Sequence, residues 1–195
     1  MRVERRQVWY AAYGSNLDGA RLARYLAVAR DPTGPRRDGA RTIGHRLHFG
    51  ARSELWGGAV AFLDPEAGSG EAFVRLWLLG LDQLADVYAQ ENGHPVGTVS
   101  LDPERLGDGV AAGRYRRLLG LGDHQGTPII TFTAPEPPEP AAPSHVYLAH
   151  LVAGLRASHR LDDDRLAAYL LAAPGMSTAW SVSSLAAMLA GDGTG

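Results

Sequence analysis

The stretch YAAYGSNLD, residues 10–18, decides the fold prediction. An apolar run breaks abruptly at Gly14, Ser15 and Asn16, and apolar residues then return at near-helical spacing, which predicts a strand, a tight loop and a helix. Backbone N–H groups at the start of a helix lack internal partners, so such a loop can bind an anion, and a carboxylate fits better than a phosphate because no phosphate-loop glycine pattern follows. The alternative is that Gly14 makes a turn and Ser15 or Asn16 caps the helix.

The composition indicates an ordinary globular protein. The chain has 195 residues, 45% of them hydrophobic and 21% charged, with a formal net charge of −2. We expect an N-terminal tail at 1–7 and a single domain at 8–195. The small net charge gives no reason to expect a nucleic-acid partner, and no apolar run approaches the ~20 residues of a membrane span. The chain has no cysteine, which excludes disulfides and thiolate sites, and all 19 of its lysine-or-arginine residues are arginine, which excludes a Schiff-base lysine. A reducing cytoplasm is the expected location.

The rest of the chain predicts an α+β fold. Strands are predicted at 46–50, 56–64, 71–80, 115–122 and 127–134, a helix at 81–90, a long loop or lid at 94–113, an extended connector at 135–143, and helices beyond it. The first three of these strands suggest an antiparallel meander. Ser144 and Asp162 are the predicted N-caps of two C-terminal helices.

Glu91 is the candidate catalytic carboxylate. It ends a short amphipathic helix and precedes Asn92 and Gly93, where a buried surface meets a loop. Desolvation at such a place would raise its pKa towards neutrality, as a general base and acid requires; the alternative is a surface glutamate at a frayed helix end. His45 and His48 are three residues apart on a predicted strand and would face opposite sides, so we expect no shared metal ion there.

Together these motifs resemble the gamma-glutamyl cyclotransferase family. The motif YGSNL at 13–17 follows the first strand, and RLHFG, WGGAVA, FVRLWLL, the glutamate of AQENG and the motif Pro143-Ser144-x-x-Tyr147 follow it in the family's order, over about residues 8–155. Two features depart from the family pattern. Asn92 stands where a glycine often follows the glutamate, and the 94–113 loop, which begins with His94, is long.

The resemblance implies a small mixed β-barrel flanked by helices, with a cavity at the barrel mouth. It also implies that Gly14, Ser15, Asn16 and Leu17 bind a small-molecule gamma-glutamyl substrate through main-chain N–H groups, that Tyr13 and Tyr147 line the pocket, and that Glu91 is the catalytic acid and base. The implied reaction releases 5-oxoproline and needs no metal or other cofactor.

Two other functions remain open from the residues alone. The barrel could bind a small metabolite with Glu91 in a structural role, or it could hydrolyse an unrelated amide, because a fold does not determine its function. An exposed Glu91 that points away from the YGSNL loop would favour the binding protein.

Overall fold

The computed structural model describes residues 6–108 and 112–191. Residues 1–5 of the predicted tail and residues 109–111 of the predicted lid lie outside these ranges. The tail is shorter than expected, because Gln7 already pairs with Gly80 in the first strand.

The chain folds into eight strands and five α-helices within the described ranges. The strands are β1 (Gln7–Ala12), β2 (Asp38–Ile43), β3 (Leu47–Ser53), β4 (Gly58–Leu63), β5 (Ala72–Gly80), β6 (Gly107–Asp108), β7 (Arg117–His124) and β8 (Thr127–Thr133). The helices are α1 (Gly19–Ala27), α2 (Leu81–Glu91), α3 (His145–His159), α4 (Asp163–Leu171) and α5 (Val182–Gly191), with 3₁₀ turns at Ser15–Leu17 and Met176–Thr178. The α+β class and the helix expected at 81–90 are confirmed, whereas β2 and β6 were not expected.

The strands form two sheets. The larger sheet has the order β2-β5-β1-β8-β7-β6, and β3 and β4 form a separate two-stranded sheet. Among the described residues, the neighbouring strands pair antiparallel except β1 and β8, which are parallel. The predicted meander is therefore wrong, since β5 pairs with β1 and β2 and not with β4. The non-alternating apolar sequence of β1 suits its central position, because a strand buried on both faces needs apolar residues on both.

The sheets do not close into the expected barrel, because side chains join β4 to its neighbours where a backbone ladder would be needed. The Thr133 hydroxyl, at the end of β8, donates to Leu63 O at 2.7 Å and accepts from Leu63 N at 3.0 Å. At Ala61, the backbone N–H donates to the Tyr147 hydroxyl at 2.9 Å, and the carbonyl accepts from the Tyr115 hydroxyl at 3.2 Å. The tyrosines thus satisfy backbone groups that a further strand would otherwise pair with.

The C-terminal segment follows the predicted pattern closely. The side chains of Ser144 and Asp162 accept from the backbone N–H of Tyr147 and Arg165, so both predicted N-caps are confirmed. The connector at 135–143 is extended and forms isolated bridges to β3 and β4, which holds the small sheet against the start of α3.

Helix α3 contacts the YGSNL loop at a glycine. A Cβ atom added to Gly154 would lie 2.3 Å from the backbone carbon of Leu17 and 2.4 Å from its Cβ, which is too close for any side chain. The close approach explains a glycine in the middle of a 15-residue helix, where glycine is otherwise unfavourable.

We therefore predict that Gly154→Ala destabilises the protein by about 1–3 kcal/mol, as overpacking of a dense core does, although helix propensity alone favours alanine. Chemical denaturation of the full chain measures the effect. Gly34→Ala is the matched control, because no atom lies within 4 Å of its added Cβ. An unchanged or increased free energy of unfolding for Gly154→Ala would contradict this account of the loop's support.

Candidate active site

The YGSNL loop is held by its carbonyl groups. Gly14 O and Ser15 O accept from the backbone N–H of Leu17 and Asp18, at 3.0 and 3.1 Å. Asn16 O accepts from Trp77 Nε1 at 3.0 Å, and Leu17 O accepts from an Arg75 Nη atom at 3.3 Å. Trp77 and Arg75 belong to β5, so the central sheet fixes the loop from behind.

The N–H groups of Gly14, Ser15 and Asn16 precede the first hydrogen bond of the 3₁₀ turn. A helical turn has no internal acceptor for its first donors, so these amides suit an anionic or carbonyl guest. Leu17 differs from them, because its amide donates to Gly14 O and its side chain is buried in the core and does not line the cavity. Ser15 and Asn16 do not cap α1; its N-cap is Asp18, whose side chain accepts from Ala20 N.

Glu91, the last residue of α2, lies next to this loop. Its Oε1 atom accepts a hydrogen bond from Asn16 Nδ2 at 2.9 Å, across 75 residues of sequence. Asn16 Nδ2 also lies 3.3 Å from the Tyr10 hydroxyl, and Asn16 Oδ1 is buried with no hydrogen-bond partner among the described residues. One amide side chain therefore connects the loop to the carboxylate.

The loop and the carboxylate share one cavity of about 170 Å³. Its lining includes most of the residues predicted from the sequence: Tyr13, Gly14, Ser15, Asn16, Glu91 and Tyr147. It also includes residues that sequence reasoning missed, among them Tyr10, Arg21, Tyr25, Trp56, Arg114 and Tyr115. Glu91 is only partly exposed and faces this cavity, so it is not the frayed surface glutamate of the alternative reading.

Burial raises the pKa of Glu91 above its ordinary value. Hydrogen bonding by Tyr25, the positive charge of Arg21 and the hydrogen bond from Asn16 oppose that rise, because each favours the ionised form. The net direction is upward, as suits a group that takes up and then releases a proton near neutral pH.

The surrounding tyrosines stay protonated. Burial raises the pKa of Tyr10, Tyr13 and Tyr147, and the negative charge of Glu91 raises it further in each case. Tyr13 donates to Phe132 O at 2.7 Å, so its ring is a fixed wall of the cavity. Tyr147 also explains Gly14, since a Cβ there would lie 2.9 Å from the Tyr147 hydroxyl oxygen.

The two departures from the family pattern have structural explanations. Asn92 joins α2 to the approach to β7, because its Oδ1 accepts from Tyr115 N at 2.8 Å and its Nδ2 donates to Tyr88 O at 3.1 Å. His94 does not line the cavity and lies beside Ala112 O. The 94–108 part of the loop is tied to α2 by Asp86, which accepts from Gly97 N at 3.0 Å.

The two histidines considered as a metal pair interact with different carbonyl groups. His45 Nδ1 lies 2.9 Å from Asp64 O, and His48 Nε2 lies beside Pro138 O. Within residues 6–108 and 112–191, no group of three or more histidine or acidic side chains is placed to hold a metal ion. In the same ranges, every helix is too short or too polar to span a bilayer.

Comparison with solved structures identifies the class of fold. A gamma-glutamyl cyclotransferase superposes with a TM-score of 0.60 at 18% identity, covering 95% of this chain and 99% of that one. An uncharacterized protein from Homo sapiens gives a TM-score of 0.61 at 18% identity, covering 93% and 98%. YkqA from Bacillus subtilis gives 0.54 at 19% identity, covering 86% of this chain and 55% of its own. The chain therefore has the gamma-glutamyl cyclotransferase fold.

Comparison by sequence adds one relative. Histone deacetylase 5 from Arabidopsis thaliana is 30% identical over 200 residues, a match that covers 84% of this chain and 30% of that protein. The chain thus spans less than a third of the length of this curated relative, and the relative's name describes the longer protein. No family model matches the chain.

The raised pKa of Glu91 predicts a pH-dependent stability difference. A carboxyl whose pKa is higher in the folded state contributes stability below its unfolded pKa of about 4.3, and that contribution is lost as the pH rises through the folded pKa. We expect Glu91→Gln to be more stable than the wild type at pH 7 and the difference to vanish below about pH 4. Urea denaturation across this range measures it, with Glu66→Gln at an exposed site as the control. A wild type more stable than Glu91→Gln at pH 7 would contradict the assignment.

Proposed function

We propose that this protein is a gamma-glutamyl cyclotransferase-type enzyme, which converts a gamma-glutamyl compound into 5-oxoproline and a free amine or amino acid. The observation that carries the proposal is the hydrogen bond between Asn16 Nδ2 and Glu91 Oε1 inside the cavity. It places a partly desolvated carboxylate beside the backbone donors of the YGSNL loop.

The reaction needs one group that moves a proton. Glu91 takes a proton from the α-ammonium of the gamma-glutamyl residue, and the freed nitrogen attacks the γ-carbonyl carbon. A C–N bond forms within a five-membered ring, and the C–N bond to the leaving amine breaks as Glu91 returns the proton to that amine. The ring nitrogen loses a second proton as it becomes an amide, and that proton also passes to the leaving amine, which departs as an ammonium and leaves Glu91 ionised. Atoms and charges then balance without a further reactant, and one carboxyl acts as base and then as acid.

The ring closure is intramolecular, which reduces what the protein must supply. Well-oriented intramolecular reactions reach effective molarities of about 10⁵–10⁸ M, so holding the substrate in a folded conformation lowers much of the barrier. In this proposal the amides of Gly14, Ser15 and Asn16 bind the glutamyl head and hold that conformation. The side chain of Leu17 supports the loop from the core and does not touch the substrate.

The tyrosines give the cavity its shape and its hydrogen-bonding character. Tyr147 accepts from Ala61 N, so its own hydroxyl hydrogen is directed elsewhere and can be donated to a substrate oxygen. Tyr13 and Tyr147 are neutral at pH 7, as an ordinary phenol is, and the raised pKa of each takes it further from ionisation, so neither repels an anionic substrate. No metal or cofactor has a role in this scheme.

The position of Glu91 also supports an enzyme over a metabolite-binding protein. A binding protein has no need to keep a carboxylate in a site that raises its pKa, since burial of a charge destabilises the fold. The carboxylate faces the YGSNL loop and not the solvent, and that geometry favours catalysis.

The direct test is to incubate the protein with a panel of gamma-glutamyl amines, gamma-glutamyl amino acids and glutathione and to assay 5-oxoproline. We expect turnover of at least one member, and a loss of at least ~10²-fold in Glu91→Gln, the lower bound of what positioned proton transfer contributes.

Glu66→Gln, which makes the same change at an exposed position, should keep wild-type activity. Circular dichroism and thermal unfolding establish that each variant is folded. If folded wild-type protein gives no 5-oxoproline from any member, or if Glu91→Gln retains full turnover, the proposed function is wrong.

A further inference from the structure

Arg21 lines the cavity, where its positive charge favours the ionised form of Glu91, but the proposed reaction gives its hydrogen-bond donors no role. It lies on α1, and its guanidinium carbon is 4.7 Å from the centre of the Tyr25 ring and 5.0 Å from that of Trp56. Its Nη2 atom donates to the Tyr25 hydroxyl at 3.0 Å. Two aromatic faces and one hydrogen bond therefore fix the guanidinium at the edge of the cavity.

The donors of this guanidinium are only partly used. Arg21 Nε is buried and has no hydrogen-bond partner in the described part of the chain. Among the described residues, Arg21 forms no ion pair with a carboxylate. A guanidinium presents five N–H donors in a planar fork that matches a carboxylate, so Arg21 is prepared to bind an anion from outside the protein.

The position of Arg21 indicates which end of the substrate it meets. Trp56 belongs to the turn between β3 and β4, where the neighbouring Leu55 is 77% exposed, so this side of the cavity opens to solvent. The amides of Gly14, Ser15 and Asn16 belong to the YGSNL loop, on the Asn16 side of the Asn16–Glu91 hydrogen bond. With the glutamyl head on those amides, the anion site at the rim is left for the other end of the substrate.

We infer that Arg21 is a specificity-determining residue that binds a carboxylate on the leaving group. The inference rests on the proposed function and narrows it. The site favours gamma-glutamyl amino acids over gamma-glutamyl alkylamines, because a fixed guanidinium attracts the carboxylate of the amino acid. It disfavours leaving groups with a second cationic amine, because the guanidinium repels that positive charge. Trp56 and Tyr25 hold the guanidinium so that little side-chain freedom is lost on binding.

The matched pair gamma-glutamyl-alanine and gamma-glutamyl-ethylamine tests the inference, because the two substrates differ by a single carboxylate. We expect the wild type to prefer the alanine compound by about 10- to 100-fold in kcat/KM, the range of a charge-assisted hydrogen bond. In Arg21→Gln the ratio should fall to about one, because the alanine compound loses more activity than the loss that both compounds share when the charge that favours ionised Glu91 is removed.

The matched control is Arg24→Gln, which removes the same charge from an exposed position of α1 outside the cavity. It should keep the wild-type ratio. An equal loss on both substrates in Arg21→Gln would overturn the inference, because it would place Arg21 on the glutamyl head. A wild-type ratio near one, or an unchanged ratio in Arg21→Gln, would also overturn it.

A binding measurement separates this inference from the proposed function. N-Glutaryl-alanine and N-glutaryl-ethylamine lack the α-amine and cannot cyclise, so calorimetry with them reports recognition without turnover. We expect the alanine compound to bind the wild type more tightly by at least about tenfold and to lose that advantage in Arg21→Gln. If this holds while no gamma-glutamyl compound yields 5-oxoproline, the anion site stands and the reaction fails. If 5-oxoproline forms and both glutaryl compounds bind equally, the reaction stands and the anion site fails.

Discussion

The hydrogen bond from Asn16 Nδ2 to Glu91 Oε1 is the contact on which the candidate site depends. It joins a loop after the first strand to the end of a helix 75 residues later, and so brings the loop's amides and the carboxylate to one cavity. The sheet holds the loop through Trp77 and Arg75, and α3 supports it through Gly154. A polar contact in a partly buried cavity is strong where both partners are satisfied and costly where one is removed. The surrounding structure therefore serves to hold Asn16 and Glu91 within hydrogen-bonding distance of each other.

The cavity lies where no backbone ladder joins β4 to β8. A closed ladder between β4 and β8 would fill the space in which Tyr115 and Tyr147 bond the backbone of Ala61. Because these side chains replace a strand, the polar backbone stays satisfied while a hollow large enough for a small molecule remains beside Glu91. Glu91 is buried beside this hollow, and that burial raises its pKa. Burial of Glu91 thus lowers the stability of the fold but provides the raised pKa that the proposed chemistry needs, an opposition that is common at functional sites.

Much of the site could be predicted from the sequence, because its parts lie in short motifs with clear local signals. The break after Tyr13 marked the loop, and the end of an amphipathic helix marked Glu91. Leu17 belonged to the same motif but lies in the core, since motif membership does not say which way a side chain points. Arg21 and Tyr25 were missed because an arginine and a tyrosine four residues apart on a helix are usual on a solvated or half-buried face. The separation of β4 from β5 and the pairing of β2 depend on contacts between distant segments, which local patterns do not encode.

The central claim is that Glu91 is a desolvated carboxyl whose ionised form is stabilised by Asn16, and its titration is the most direct test. In the full chain carrying ¹³C-labelled glutamate, the side-chain carboxyl resonance of Glu91, assigned by its absence in Glu91→Gln, should titrate above the ordinary value of about 4.3. It should shift upward again in Asn16→Ala, because that variant loses a donor to the carboxylate. A Glu91 that titrates at or below the ordinary value, and does not respond to Asn16→Ala, would contradict the account.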